Sequence, residues 1–169
     1  MALIVKESKK DFEVPEEGLY SGAGCDVRDL GMVTTQFGES HKVLISIQID
    51  QKDSRGRFFV VAKRYTLSLH AKANLRRDLE TWRGARFRPE ELENGFDLEK
   101  LIDAPCQVQI AHNVKDDGAT YANIQAIIPP AKGQARHRVQ DYVRFQDRDK
   151  QQGTGNGNVG EVDDEIVPF

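Results

Sequence analysis

The 169-residue chain has few cysteines, a single tryptophan and no long apolar run. Its two cysteines, Cys25 and Cys106, form neither a CxxC pair nor a Cys/His cluster, which excludes a zinc site of the usual spacing and a disulfide framework. They read as small core residues of a protein in a reducing cytoplasm. No apolar stretch approaches the roughly 18 residues needed to cross a bilayer, and nothing near the N-terminus resembles a signal peptide. The expectation is a soluble chain with no membrane partner.

Catalytic signatures are missing too. His41, His70, His112 and His137 are scattered without metal-ligand spacing, so no metal and no cofactor are expected. There is no Walker-type loop, no G-x-S-x-G elbow and no carboxylate cluster at a strand end; Asp26 with Asp29, and Asp116 with Asp117, read as turn and edge residues. A non-enzyme is expected.

Net charge is -3, which at first sight disfavours a nucleic-acid binder. The distribution changes that. All of Glu161, Asp163, Asp164 and Glu165 fall after Gly153, where there is no Lys or Arg, and the preceding chain holds 24 bases against 23 acids. Acidity is concentrated in the tail.

What is present is strand periodicity. Residues 19–30 make a first strand with Leu19, Ala23, Cys25 and Val27 on one side and Tyr20, Asp26 and Arg28 on the other; Gly18, Gly22 and Gly24 permit sharp coiling. After a polar loop over 34–42, Val43, Ile45, Ile47 and Ile49 alternate as a half-buried second strand. A charged turn over 52–57 leads into a third strand over 58–69. The period then changes: Leu75, Leu79 and Trp82 fall at i, i+4 and i+7 before Gly84, the pattern of an amphipathic helix, and residues 89–101 predict a second short one. Pro105 opens a strand with Cys106, Val108 and Ile110 on one face. Asp116-Asp117-Gly118 then turns into a last strand, with Ala122, Ile124 and Ala126 inward and Tyr121, Asn123 and Gln125 outward. The order β-β-β-α-β-β is that of the five-stranded OB-fold Greek-key barrel, whose middle strands and loops commonly hold oligonucleotides.

The run KRYTLSLHAKANLRRDLETWRGARF (63–87), then GFDLEKLIDAPCQVQIAH (95–112), YANI (121–124) and IIPPAKG (127–133) resemble the OB-fold single-stranded DNA-binding proteins of tailed phages, over about residues 6–133. The resemblance implies a mainly β, non-catalytic, largely sequence-independent binder of single-stranded DNA, acting in phage replication or recombination in the cytoplasm of a bacterial host. DDEIVPF (163–169) is similar to the acidic tip of bacterial single-stranded DNA-binding proteins, with both Ile166 and Val167 between the acids and the final Pro-Phe. Three segments follow: an OB domain over 1–133, a basic segment and flexible linker over 134–160, and a partner-binding tip over 161–169. The basic stretch within 132–150 is left open between a short helix and a segment that orders only on a partner.

Stacking on bases needs outward aromatic faces, and phosphates need Lys or Arg. Tyr20, Tyr65 and Tyr121 are the strand candidates for stacking, though each can instead cover an apolar edge with its hydroxyl in water. Phe37, an apolar ring in a polar loop, is the more pointed one. Lys42, Lys52, Arg55, Arg57, Lys63 and Arg64 are the phosphate candidates, while Arg76, Arg77, Arg83, Arg86 and Arg88 around the helix favour structural pairs such as Arg76 with Glu80. In the tip, Asp163, Asp164, Glu165, Ile166, Pro168 and Phe169 suit an apolar pocket rimmed by bases on a replication or repair protein, or serve only as a solubilising end. The expected partners are single-stranded DNA, such proteins, and further copies of the chain in a homo-oligomer. Rival expectations are a strand-annealing factor, an accessory subunit of a DNA-processing enzyme, and a module that binds only protein.

Overall fold

The computed structural model describes residues 13–151. The tip (161–169) and nearly all of the expected linker lie outside the described residues. Strands β1 (Gly18–Thr35), β2 (Gly38–Lys52), β3 (Phe58–Thr66), β4 (Pro105–Val114) and β5 (Thr120–Ile128) form one antiparallel sheet in the order β3-β2-β1-β4-β5. Helices α1 (Asn74–Arg83) and α2 (Pro89–Asn94) and a 3-10 turn, Leu98–Leu101, lie between β3 and β4; α3 (Phe145–Gln151) follows β5. The chain is mainly β, in the expected element order. β3 touches β5, but among the described residues no ladder joins them, so hydrogen bonds do not close the sheet.

The core is built as the periodicity predicts. Val43, Ile45, Ile47 and Ile49 from β2 meet Leu75, Leu79 and Trp82 from α1 and Cys106, Val108 and Ile110 from β4. Gly84 caps α1 in the left-handed conformation (φ 72°), which costs glycine little. Cys25 and Cys106 are free and buried, and burial pushes the Cys106 thiol up to about 12. The predicted helix over 89–101 is instead two pieces, because Gly95 (φ 89°) breaks the run between α2 and the 3-10 turn. Among the described residues no helix is long and apolar enough to cross a membrane.

Two alternation patterns shift phase. Leu19 is 55% exposed, whereas Tyr20 packs against the core and donates to the Glu16 carbonyl (2.6 Å), the reverse of the predicted faces. In β5 the register slips between Gln109 and Ile110 of its partner: Ile110 pairs with Ile124 but Gln109 with Ala126, leaving Gln125 as the extra residue. Ile124 and Ile127 are therefore both buried, three residues apart; Tyr121, ahead of the slip, stays on the face opposite Ala122 and Ile124, as predicted, but is covered there and only 5% exposed.

The polar stretch over 34–42 is a continuation of β1 and β2 rather than a loop. Thr35 pairs with Gly38, so only Gln36 and Phe37 turn the chain. The Thr35 hydroxyl accepts from Phe37 N (3.2 Å) and donates to the Gly38 carbonyl (2.9 Å), which holds this two-residue tip.

Residues 137–148 are packed on the sheet, so the folded unit continues past 133. They form a strap over the outward face of β1, β2 and β3, the face carrying Leu44, Ser46 and Gln48.

Candidate nucleic-acid interface

Two buried polar side chains anchor the strap. Gln48 is 2% exposed; its Oε1 accepts from His137 Nε2 (2.9 Å) and Gln140 N (2.9 Å), and its Nε2 donates to the Gln140 carbonyl (2.7 Å). All three bonds join residues about ninety apart in sequence. Asp26, 4% exposed, accepts from Tyr142 Oη (2.8 Å), Phe145 N (2.9 Å) and Arg144 Nε (3.4 Å), and Arg144 also forks onto Glu99 (2.7 and 2.9 Å). Asp26 is thus not an edge residue. A carboxylate taken out of water needs such partners, and the strap supplies them.

The strap redraws the outward face. Cross-strand register sets Ala23, Gln48 and Val60 in one row, Asp26, Ser46 and Ala62 in the next, and Arg28, Leu44 and Arg64 in a third. The first two rows lie under residues 137–145. At the third, α3 ends the cover: the Arg28 guanidinium sits 3.6 Å from the Phe145 ring centroid, and Arg148 approaches the same ring at 5.8 Å. One row further toward the hairpin tip, Lys42 donates to the Thr66 hydroxyl (2.7 Å), and beyond it the β1–β2 arm ends at Phe37, 91% exposed.

Of the predicted stacking residues only Phe37 presents a free ring. Tyr65 is 3% exposed; its hydroxyl donates to Asp78 Oδ2 (2.7 Å), and burial together with the Asp78 charge pushes its pKa up. Tyr121 donates to Asp117 Oδ2 (3.0 Å) under the Lys115 ammonium, 4.4 Å from its centroid. Tyr20 packs on the core as described.

The predicted cations separate as well. Lys63 and Arg64 are adjacent in a strand and so face opposite ways. Lys63 pairs with Asp78 (2.8 Å), which fastens β3 to α1; burial pushes the Asp78 carboxyl up, but its bonds to Lys63 and Tyr65 outweigh this and hold it below its ordinary value. Lys42 and Arg64 share the outward face. Lys52, Arg55 and Arg57 lie at the far end of β2, roughly 45 Å of strand from Phe37. There Asp53 organises the turn, accepting from Arg55 N, Arg57 N and Arg57 Nε, while Lys52 lies 5.0 Å from the Phe58 ring centroid. Around α1, Arg76 pairs with Glu80 (3.4 Å), as its spacing predicts, and Arg83 with Glu91 (2.9 Å).

Sequence reasoning missed Arg28, Phe145 and Arg148 as members of the outward surface. Alternation already set Arg28 apart from the core, but only register across three strands aligns it with Arg64, and only the docked strap brings Phe145 beneath it. Among the described residues no group of three or more His, Cys, Asp or Glu is placed to hold a metal ion.

The strap carries a pH expectation. Burial pushes the His137 imidazole below its ordinary value, against the pull of Asp50. The unfolded chain then binds the proton more tightly, so the stability contributed here is fully present above about pH 6.5 and is lost as pH falls below it. Urea unfolding at pH 7 and pH 5 should show a steeper loss for the native chain than for His137→Gln. Parallel losses would show that His137 does not titrate with folding.

The outward surface therefore consists of an exposed aromatic tip, a basic row at the base of its arm and a strap with a stacked Arg–Phe pair. Comparison with protein-family models finds no match to the chain, and comparison with curated proteins finds none either.

Proposed function

We propose that this chain is a non-catalytic single-stranded DNA-binding protein of the OB type, as the phage-family resemblance of its sequence implies, and that its acidic tip recruits replication or repair proteins. The observation that carries the proposal is the β1–β2 arm: Phe37 stands almost fully exposed at a two-residue tip, above Lys42, Arg64 and Arg28 on one face. A ring without a core to join can stack on an unpaired base, and cations on the same side can follow the phosphates. The strand order, with β3 and β5 in contact, supports an OB-like arrangement.

Fluorescence anisotropy with labelled oligo-dT, and with a duplex of equal length, tests this. Single strands should bind much more tightly, with a log-log salt slope of roughly -0.7 per phosphate contacted. Phe37→Ala should weaken binding about ten-fold, in line with about 1–3 kcal/mol per stacked base. Lys42→Glu with Arg64→Glu should weaken it further and flatten the salt slope. Equal affinity for duplex and single strand would sink the proposal, and an unchanged Phe37→Ala would remove the arm from the interface.

A further inference from the structure

A cleft of about 470 Å³ opens where α1, the 3-10 turn and the start of β4 meet. Trp82, Phe96, Leu101 and Pro129 line it with apolar surface, and Lys100 and Arg136, both exposed, line it with positive charge. Lys100 lies 5.8 Å from the Phe96 ring centroid. The acid in the cleft, Glu91, is bound by Arg83 at 2.9 and 3.2 Å, and those bonds, with that from Arg88 N, hold its carboxyl down at about 2. Glu91 and Arg83 cancel, which leaves the cleft cationic. Its volume is in the range of about 300–1,000 Å³ that encloses compact ligands.

We propose that this cleft is a docking site for the chain's own residues 161–169. That segment has the complementary chemistry: four acids, then Ile166, Val167, Pro168 and Phe169. Phe169 and Pro168 suit the apolar lining, and the acids before them suit Lys100 and Arg136. Length permits it. Phe169 is 18 residues beyond Gln151, and a chain of that length can extend about 60 Å, whereas a compact body of this size has a radius of gyration of about 14 Å. The cleft is built from different elements than the arm and the basic row, so this docking does not depend on nucleic-acid binding. While docked, the tip is withheld from other proteins.

The test uses a fluorescein-labelled peptide of residues 161–169, titrated into the full-length chain carrying Phe169→Ala, whose own tip is weakened. Saturable binding is expected. Lys100→Glu with Arg136→Glu should weaken it about ten-fold, while Lys52→Glu with Arg57→Glu, at the distant β2–β3 turn, should leave it unchanged. Excess oligo-dT should not displace the peptide. Hydrogen exchange gives a second measurement that needs no charge variant: in the full chain, Phe169→Ala should speed exchange of the amides of Leu98–Leu101. No saturable binding, equal weakening by both charge pairs, displacement by oligo-dT, or unchanged exchange would each overturn the proposal. Failure of oligo-dT to bind at all would count against the nucleic-acid proposal alone.

Discussion

Gly24→Ala is expected to destabilise the chain by about 3 kcal/mol, lowering the unfolding temperature by roughly 10 °C. Gly24 is where the 3-10 turn presses against β1: its N–H donates to the Ala104 carbonyl (3.1 Å), its carbonyl accepts from Asp103 N (2.8 Å), and it bridges Ile102 in parallel. A Cβ there would run into the Leu101 carbonyl, which is backbone, and would lie 3.1 Å from the Trp82 ring. Backbone cannot swing aside as a long side chain can, so the turn must lift away from the sheet, and Trp82 and Leu101 lose packing. Circular dichroism melts of the two proteins decide the matter. A shift of under about 2 °C would mean that the turn does not abut β1 this closely. A change at Gly31, where an added Cβ would meet nothing within 4 Å but φ is 71°, isolates the cost of left-handed backbone alone.

Asp26→Ala is expected to cost about 3 kcal/mol as well, because it removes one side of a buried pair and takes the acceptor from the Phe145 amide and from the Tyr142 O–H, whose oxygen keeps only the bond from Arg148 Nη2 (3.2 Å). Arg144 keeps its fork on Glu99, which places the effect at the lower end for a broken buried ion pair. Asp26→Asn keeps an acceptor without the charge and should cost less. A double-mutant cycle with Tyr142→Phe separates the hydroxyl bond from the rest, since residues sharing one carboxylate are coupled. The strap should also loosen: proteolysis within 137–148 should quicken in Asp26→Ala and not in Asp29→Ala, whose carboxylate lies on the surface beside His41. An Asp26→Ala chain as stable as the native one would show that the strap is held by other contacts.

These two positions mark where sequence reading stops. Both sit in β1, and the sequence marks both: Gly24 as a residue that permits coiling, Asp26 as an outward polar residue. What they touch comes from residues 101–104 and 142–145, far along the chain, and no local pattern announces such meetings. The tyrosines failed for a related reason. Tyr65 and Tyr121 are amphipathic: a buried carboxylate, Asp78, draws the Tyr65 ring into the core, and the neighbouring turn covers Tyr121 through Asp117 and Lys115. Phe37 was easier, because a phenylalanine surrounded by Thr, Gln, Gly and Glu has no hydrogen bond to bring it inside. Nearness in sequence groups the basic candidates, and a strand undoes this twice: neighbours alternate faces, as Lys63 and Arg64 do, and ten residues along β2 separate Lys42 from Lys52.

By itself the sequence determined the element order, the alternation that buries Val43, Ile45, Ile47 and Ile49, the helix bearing Leu75, Leu79 and Trp82, and the turns at 52–57 and 116–118. Each of these follows from short-range chemistry: side-chain period, glycine freedom and turn propensity act over a few residues and leave their signature there. Tertiary structure alone decided the register that aligns Arg28 with Arg64, the slip that buries both Ile124 and Ile127, the pairing of Lys63 with Asp78, and the path of residues 137–148 across the sheet. Those outcomes depend on which distant groups arrive to satisfy a buried charge or amide, and the free energy of burying Asp26 or Gln48 is settled only when the partner, some ninety to one hundred and twenty residues later, is in place.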